Sequence, residues 1–288
     1  MIPASFDYHT PSSVAEAIGL LQTHGYDAKI LAGGQSLIPA MRFRLAQPAV
    51  LIDINQIEGL GYVREENGYL AIGSMTREAD LDESVAVQSR YPLLADAAKV
   101  IADPLVRNLA TVGGNIAHAD PANDHPAVLL AYNAEVTAQG PNGTRAIAID
   151  DFFVDLFANA LADDEILTEI RIPTPGASSG GAYVKMERKV GDYAISAVAV
   201  QLTMSGDTCT AARIGLTNVS AVPMRATNAE QAIIGQALTD EVLEVAGQAA
   251  AAECDPSEDL RGSVEYKRDL TRVLTKRAIQ QAAERAGA

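Results

Sequence analysis

Short apolar runs alternate along the chain with longer stretches in which apolar residues recur at helical spacing, and this alternation sets the expected elements. Val14, Ala17, Ile18 and Leu21 share one helical face behind Ser13 and Glu16, which have capping-box spacing, and Gly25 follows as a stop. "AKILA" reads as a short buried strand, "SLIPAMRFRLA" as a broken helical turn and "AVLIDIN" as a second buried strand. A small α/β unit is therefore expected through about Asn55.

Further on, "YLAIGSM" reads as a strand, "TREADLDES" as a short helix and "YPLLADAAKVIAD" as an amphipathic helix ending before Pro104. "HPAVLLAYNA" reads as an apolar helix opening on Pro126. Asn142-Gly143 lies between two strand-like runs, a hairpin signal, and "EILTEIRIP" reads as the strand that closes this region. Pro, Gly and Ser crowd into residues 173–181, which predicts a linker. After it, "AYVKMERK", "AISAVAVQLTMS" and "TCTAARIGLTNVS" alternate as an antiparallel meander with a turn at Gly206-Asp207, and the remainder is helical. In the last helix Tyr266, Leu270, Val273, Leu274 and Ala278 form the expected apolar face. Lys267, Arg268, Arg272, Lys276 and Arg277 form a basic one, expected to be solvated or to meet a partner.

Composition narrows the function. With 288 residues, 48% of them hydrophobic, the chain has room for two domains and a substantial core. No apolar run approaches the roughly 20 residues of a membrane span, and "MIPASFDYHTP" has neither the basic region nor the apolar core of a signal peptide. A cytoplasmic protein is expected. The net charge of −15 argues against nucleic-acid binding, which relies on clustered Lys and Arg. Cys209 and Cys254 are too few and too far apart for a disulfide framework, a zinc knuckle or an iron–sulfur cluster, so any redox cofactor is organic.

Two glycine pairs stand out, Gly33-Gly34 followed by Gln35 and Ser36, and Gly113-Gly114 followed by Asn115. A Gly-Gly pair after a buried run tolerates positive φ and exposes consecutive amides, which bind phosphate oxygens without a cationic side chain. That solution suits an acidic protein, and two facing loops would clamp a pyrophosphate, with Gln35, Ser36, Thr111 and Asn115 adding side-chain bonds. Gly-Gly pairs also make ordinary turns, and neither G-x-G-x-x-G nor G-x-x-x-x-G-K-[ST] is present, so the residues alone leave turn and cradle both open. His118, Asp120, Asp124 and His125 crowd into "HADPANDHP", but no His pair has i,i+4 spacing. A carboxylate that bonds a ribose or caps a helix fits this run better than a metal. No nucleophile elbow is present, and no general acid or base is assigned.

"AGGQSLIPAMRFRLAQPAVLIDIN" and "ADPLVRNLATVGGNIAHADPANDHPAVLLA" resemble the two FAD-contacting segments of the medium, flavoprotein subunit of the molybdenum hydroxylases. The run "TVGGNIAHADPANDHPAVLLA" is most similar to the carbon monoxide dehydrogenase branch, and the likeness continues through "EILTEIRIP" and "YVKMERKVGDYAISAVAV". The resemblance implies an α+β chain. An FAD-binding domain of two α/β subdomains, about 1–55 and 56–176, precedes a C-terminal domain, 177–288, with a small antiparallel sheet and a helical bundle. It also implies that Ala32, Gly33, Gly34, Gln35 and Ser36, and Thr111, Val112, Gly113, Gly114 and Asn115, wrap the FAD diphosphate. By the same resemblance Asp124 lies near the nucleotide, Lys185 and Tyr193 approach the isoalloxazine, and Ile166-Leu167 add backbone contacts. The implied partners are a large molybdopterin subunit and a small iron–sulfur subunit, in a dimer of heterotrimers at most peripherally associated with the inner face of the membrane. Electrons would leave through FAD to a quinone or another acceptor. The rival readings are the medium subunit of a xanthine- or aldehyde-oxidising enzyme, a self-contained flavin oxidoreductase, and a non-enzymatic nucleotide-sensing module.

Overall fold

Ser13 caps the first helix, Val14–His24, by accepting the Glu16 N–H, while the Glu16 carboxylate reaches back to the amide and hydroxyl of Ser12. The capping box thus closes one residue further out than the spacing suggests. In the computed structural model, which describes residues 2–287, this helix covers a parallel sheet in which Val50–Asp53 lies between Asp7–His9 and Ala28–Leu31. Ala17, Ile18 and Leu21 pack with Ala28, Val50 and Ile52, and Met75 and Ile166 from the next body close this core.

The second body is a five-stranded sheet in the order Val63–Glu66, Tyr69–Gly73, Ile166–Pro173, Glu135–Gly140, Gly143–Ala148. Every pairing in it is antiparallel, as the expected hairpin at Asn142-Gly143 requires of its two strands. Two strands, Asp7–His9 and Val63–Glu66, carry no readable signal because both lie at sheet edges and are largely solvated. In the hairpin Gly140 pairs with Gly143, so Pro141 and Asn142 make the turn and Gly143, at φ 110°, begins the return strand. The helix expected to open on Pro126 spans Asp124–Tyr132. Pro126 fits its first turn because an amide there has no intrahelical acceptor.

The third body is a four-stranded antiparallel sheet of Ser179–Glu187, Ala194–Ser205, Thr208–Thr217 and Met224–Arg225. The expected linker shrinks to residues 174–178, since Ser179, Gly180 and Gly181 are paired strand residues. A Cβ on Gly180 would lie 1.9 Å from the Ala282 carbonyl oxygen, so the glycine admits the last helix, Val264–Ala286, against the strand. Alternate residues of the central strand enter different cores: Ala197 and Ala199 face the second body, Val198, Val200 and Leu202 the C-terminal helices.

The last helix presents the expected faces except at Tyr266 and Lys267, which exchange places. Lys267, Thr271, Leu274, Thr275, Ala278 and Ile279 are buried, while Tyr266 is 46% exposed. Lys267 belongs inside because its ammonium meets Ser257 O and Asp259 Oδ2, and Arg272 and Lys276 cross to Glu244 on the helix Asp240–Glu253. Among the described residues no helix is long and apolar enough to cross a membrane.

Candidate functional site

Residues Ala32 to Ser36 leave the strand Ala28–Leu31 and turn into the short helix Leu37–Arg42. Gly34 sits at φ 72°, a conformation that side-chain-bearing residues adopt at a cost of about 1–2 kcal/mol. Asn55 Nδ2 holds the Ala32 carbonyl at 2.8 Å, and Gln35 folds back onto the Gly33 carbonyl at 3.0 Å. The amides of Gly33, Gly34, Gln35 and Ser36 donate to no protein acceptor among the described residues, and the Ser36 hydroxyl makes no capping bond. Four consecutive donors are thus presented by one loop.

The second glycine pair is built differently. Gly113 and Gly114 lie inside a helix, Val112–His118, whose N-cap Thr111 accepts the Gly114 amide at 3.2 Å. The amides of Val112 and Gly113 donate to Thr76 O and Ser74 O, and that of Asn115 to Thr111 O. The expectation that this segment offers a run of amides to a diphosphate is therefore corrected for Val112 to Asn115: Thr76 and Ser74, just past the strand Tyr69–Gly73, and Thr111 take them. Gly113 is required for packing, because a Cβ would lie 2.5 Å from Ser74 Cβ. Val112 is core, and among the described residues the segment leaves free the Thr111 amide and the buried Asn115 Oδ1, with Ser74 Oγ also lacking a partner.

The two segments meet. A Cβ on Gly33 would lie 2.4 Å from Leu109 O, and one on Gly114 would approach Ala32 Cβ at 3.7 Å. Arg77, absent from the expected set, fastens them by donating to Leu109 O at 2.7 Å and to Asn55 Oδ1 at 2.8 Å. Asp53 orients Asn55 in turn. Burial alone raises the Asp53 carboxyl, but hydrogen bonds from Tyr8 and Asn55 and the nearby Arg77 outweigh it and hold the group below its ordinary range. An Arg and an Asn without a motif carry no one-dimensional signal for this role.

Asp124 and Lys185 are brought together as a buried pair at 3.0 Å. The other Asp124 oxygen accepts from Tyr183 at 2.6 Å, and Lys185 also donates to Val100 O. Burial raises the Asp124 carboxyl, against the opposing pull of Lys185 and Tyr183. Both oxygens expected to serve a cofactor hydroxyl therefore already have protein donors. Nearby, His125 and Glu78 form a second fully buried pair at 2.7 Å. His118 instead lies against Phe157, and Asp120 caps the Ala122 amide, so "HADPANDHP" disperses among separate partners. Ile166 and Leu167 are buried strand residues paired with Gln139 and Ala138.

Tyr193 stands at the mouth of the strand Ala194–Ser205, 41% exposed, on a cavity of about 520 Å³ shared with Asp120, Asn218 and Arg261. Asn218 ties this corner to the preceding segment, donating from its amide to Pro121 O and from Nδ2 to Ala194 O. The helix Val112–His118, about 10 Å long at 1.5 Å per residue, meets the glycine loop at Gly114, and Asp120, just past its end, lines this cavity.

Residues 4–175 match the FAD-binding domain of molybdopterin dehydrogenases, and residues 181–282 match the carbon monoxide dehydrogenase flavoprotein C-terminal domain. The carbon monoxide dehydrogenase medium chain of Hydrogenophaga pseudoflava is 48% identical over 98% of each chain, and that of Afipia carboxidovorans 43% identical over 99% of each. A solved carbon monoxide dehydrogenase structure from Hydrogenophaga pseudoflava, lacking the Mo-pyranopterin moiety, superimposes with a TM-score of 0.97 at 49% identity, covering 99% of both chains. With two family domains matched in order across nearly its whole length, this chain belongs to the FAD-binding, medium-chain family of the molybdopterin dehydrogenases.

Proposed function

We propose that this chain holds one FAD and is the electron-exit subunit of a molybdenum hydroxylase that oxidises carbon monoxide to carbon dioxide. The observation that carries this reading is the run of four unpartnered amides from Gly33 to Ser36, built into a domain of the FAD-binding family. Those amides and the Ser36 hydroxyl suit diphosphate oxygens, which an acidic surface would otherwise repel. The segment Thr111–Asn115 forms the floor under that loop, and the buried, unpartnered Asn115 Oδ1 suits a cofactor hydroxyl. Asp124 and Lys185 act as one paired unit that keeps a cation close to the site, and Tyr193 covers an isoalloxazine face and limits access by water and oxidants.

When bound, FAD supplies a carrier that accepts electrons one at a time and delivers them singly or in pairs. Medium chains imply large and small companions: here a molybdopterin subunit that meets the substrate and an iron–sulfur subunit that relays electrons to this one. The two cysteines, Cys209 and Cys254, are buried and unpaired and are too few to ligate an iron–sulfur cluster, which suits clusters housed elsewhere. We assign a quinone as acceptor, a dimer of heterotrimers as the assembly and the cytoplasmic side as its place.

Purification of the native complex under mild conditions tests the reading. FAD, iron and molybdenum are expected to co-purify with this chain, and carbon monoxide is expected to bleach the flavin absorbance. A colourless preparation that takes up no FAD would remove the cofactor assignment. A flavin reduced by another hydroxylase substrate but not by carbon monoxide would remove the substrate.

A further inference from the structure

Arg261 lies in the loop between the helices Asp240–Glu253 and Val264–Ala286, and three contacts fix it. Its guanidinium carbon stands 5.4 Å from the Tyr193 ring centroid, Nη2 donates to Asp192 Oδ1 at 2.8 Å, and its amide donates to Asp259 Oδ1 at 2.8 Å. Asp192 Oδ1 also accepts the Tyr193 amide at 2.9 Å, so Arg261 grips the backbone as well as the ring. Asp259 is held from behind, where Lys267 donates to its Oδ2 at 2.9 Å. Lys267 is 1% exposed, and a lysine at that depth is tolerated only when paired. A continuous line of contacts therefore runs from the last helix through Lys267, Asp259 and Arg261 to Tyr193.

The line ends on the 520 Å³ cavity, lined by Tyr193, Asp120, Asn218, Ser257, Asp259 and Arg261 among others. Arg188 makes the contrasting case. It reaches Asp192 at 3.5 Å from a largely exposed position, as an ordinary surface ion pair does.

We propose that Arg261 is a positioning residue for Tyr193, setting the ring over the cavity through the guanidinium–ring contact and the Asp192 bridge, with Lys267 and Asp259 as its support. The inference rests on the reading that Tyr193 covers the flavin. Without the guanidinium the ring loses this contact and gains rotamer freedom.

The test uses the purified complex, with Arg261→Met, Arg261→Gln, Arg261→Lys, Tyr193→Ala and the double variant Arg261→Met/Tyr193→Ala compared per bound FAD. The readouts are the visible flavin spectrum and the rate at which an artificial dye withdraws electrons from the reduced flavin. Arg261→Met and Arg261→Gln are expected to shift the spectrum in the same direction as Tyr193→Ala and to change the dye rate about fivefold, the scale of one cation–π contact. Arg261→Lys is expected to restore most of the effect, and the double variant to add nothing to Tyr193→Ala. A wild-type spectrum and rate in Arg261→Met and Arg261→Gln, or an independent additive effect in the double variant, overturns the proposal and leaves Tyr193 assigned. A Tyr193→Ala complex unchanged in both readouts at full flavin content overturns the assignment of Tyr193 itself.

Discussion

Gly33-Gly34 and Gly113-Gly114 each follow an apolar stretch and precede an amide side chain, yet the first pair lies in an open loop whose amides have no protein acceptor and the second lies in a helix whose amides are all taken. In the first, positive φ at Gly34 turns the chain so that its donors face outward. In the second, the missing Cβ lets a helix sit against Ser74 at a separation no other residue permits. The same dipeptide thus serves conformation in one place and close approach in the other. Only the first suits direct grip on an anion.

Substitutions separate these roles. The largest effect is expected from Gly113→Val, whose Cβ would meet the Ser74 backbone oxygen at 2.6 Å. A loss of about 3 kcal/mol, typical of an overpacked core, is expected as a lower urea midpoint with an unchanged slope, and flavin goes only as the fold goes. Arg77→Ala frees both Asn55 and the Leu109 carbonyl; about 2 kcal/mol of stability is expected to go, with weaker FAD retention on gel filtration. Gly34→Ala is expected to cost about 1 kcal/mol from its positive φ, because only flexible side-chain ends of Ile38 and Leu31 crowd the new Cβ, yet to speed FAD release about tenfold or more in stopped-flow displacement. Wild-type FAD affinity in Gly34→Ala, alongside flavin loss from a stably folded Gly113→Val, would reverse the two assignments.

The smallest effect concerns acid. The Asp53 carboxyl is held below its ordinary range in the folded chain, so its contribution is present above the unfolded value and is lost as pH falls through the folded one. Urea midpoints measured below about pH 4 are expected to fall less steeply in Asp53→Asn than in the wild type. Equal slopes would show that the Tyr8–Asp53–Asn55 cluster does not anchor the first loop.

Much of the fold is legible in one dimension because burial imposes a period. The first helix, the strands Ala28–Leu31 and Val50–Asp53 and the three-strand meander all follow from the apolar pattern, although Ala28–Leu31 is an edge strand with only Ala28 buried. The edge strand Val63–Glu66 escaped because a solvated strand of Arg and Glu has no such period. Lys267 departs from its pattern for a related reason: its charge reads as solvent-facing, and only the fold brings Asp259 and Ser257 O to receive it.

Composition alone makes the chain acidic and requires an organic cofactor for any redox chemistry, and its long motifs point to a flavoprotein family and through it to an α+β fold. Tertiary structure decided which glycine pair keeps its amides, that Arg77 joins the two segments, that Asp124 and Lys185 are each other's partners, and that Arg261 reaches Tyr193. Apolar periodicity reports which side of an element is buried. The fate of an amide or a charge depends on an acceptor tens of residues away, and only folding brings that acceptor within 3 Å.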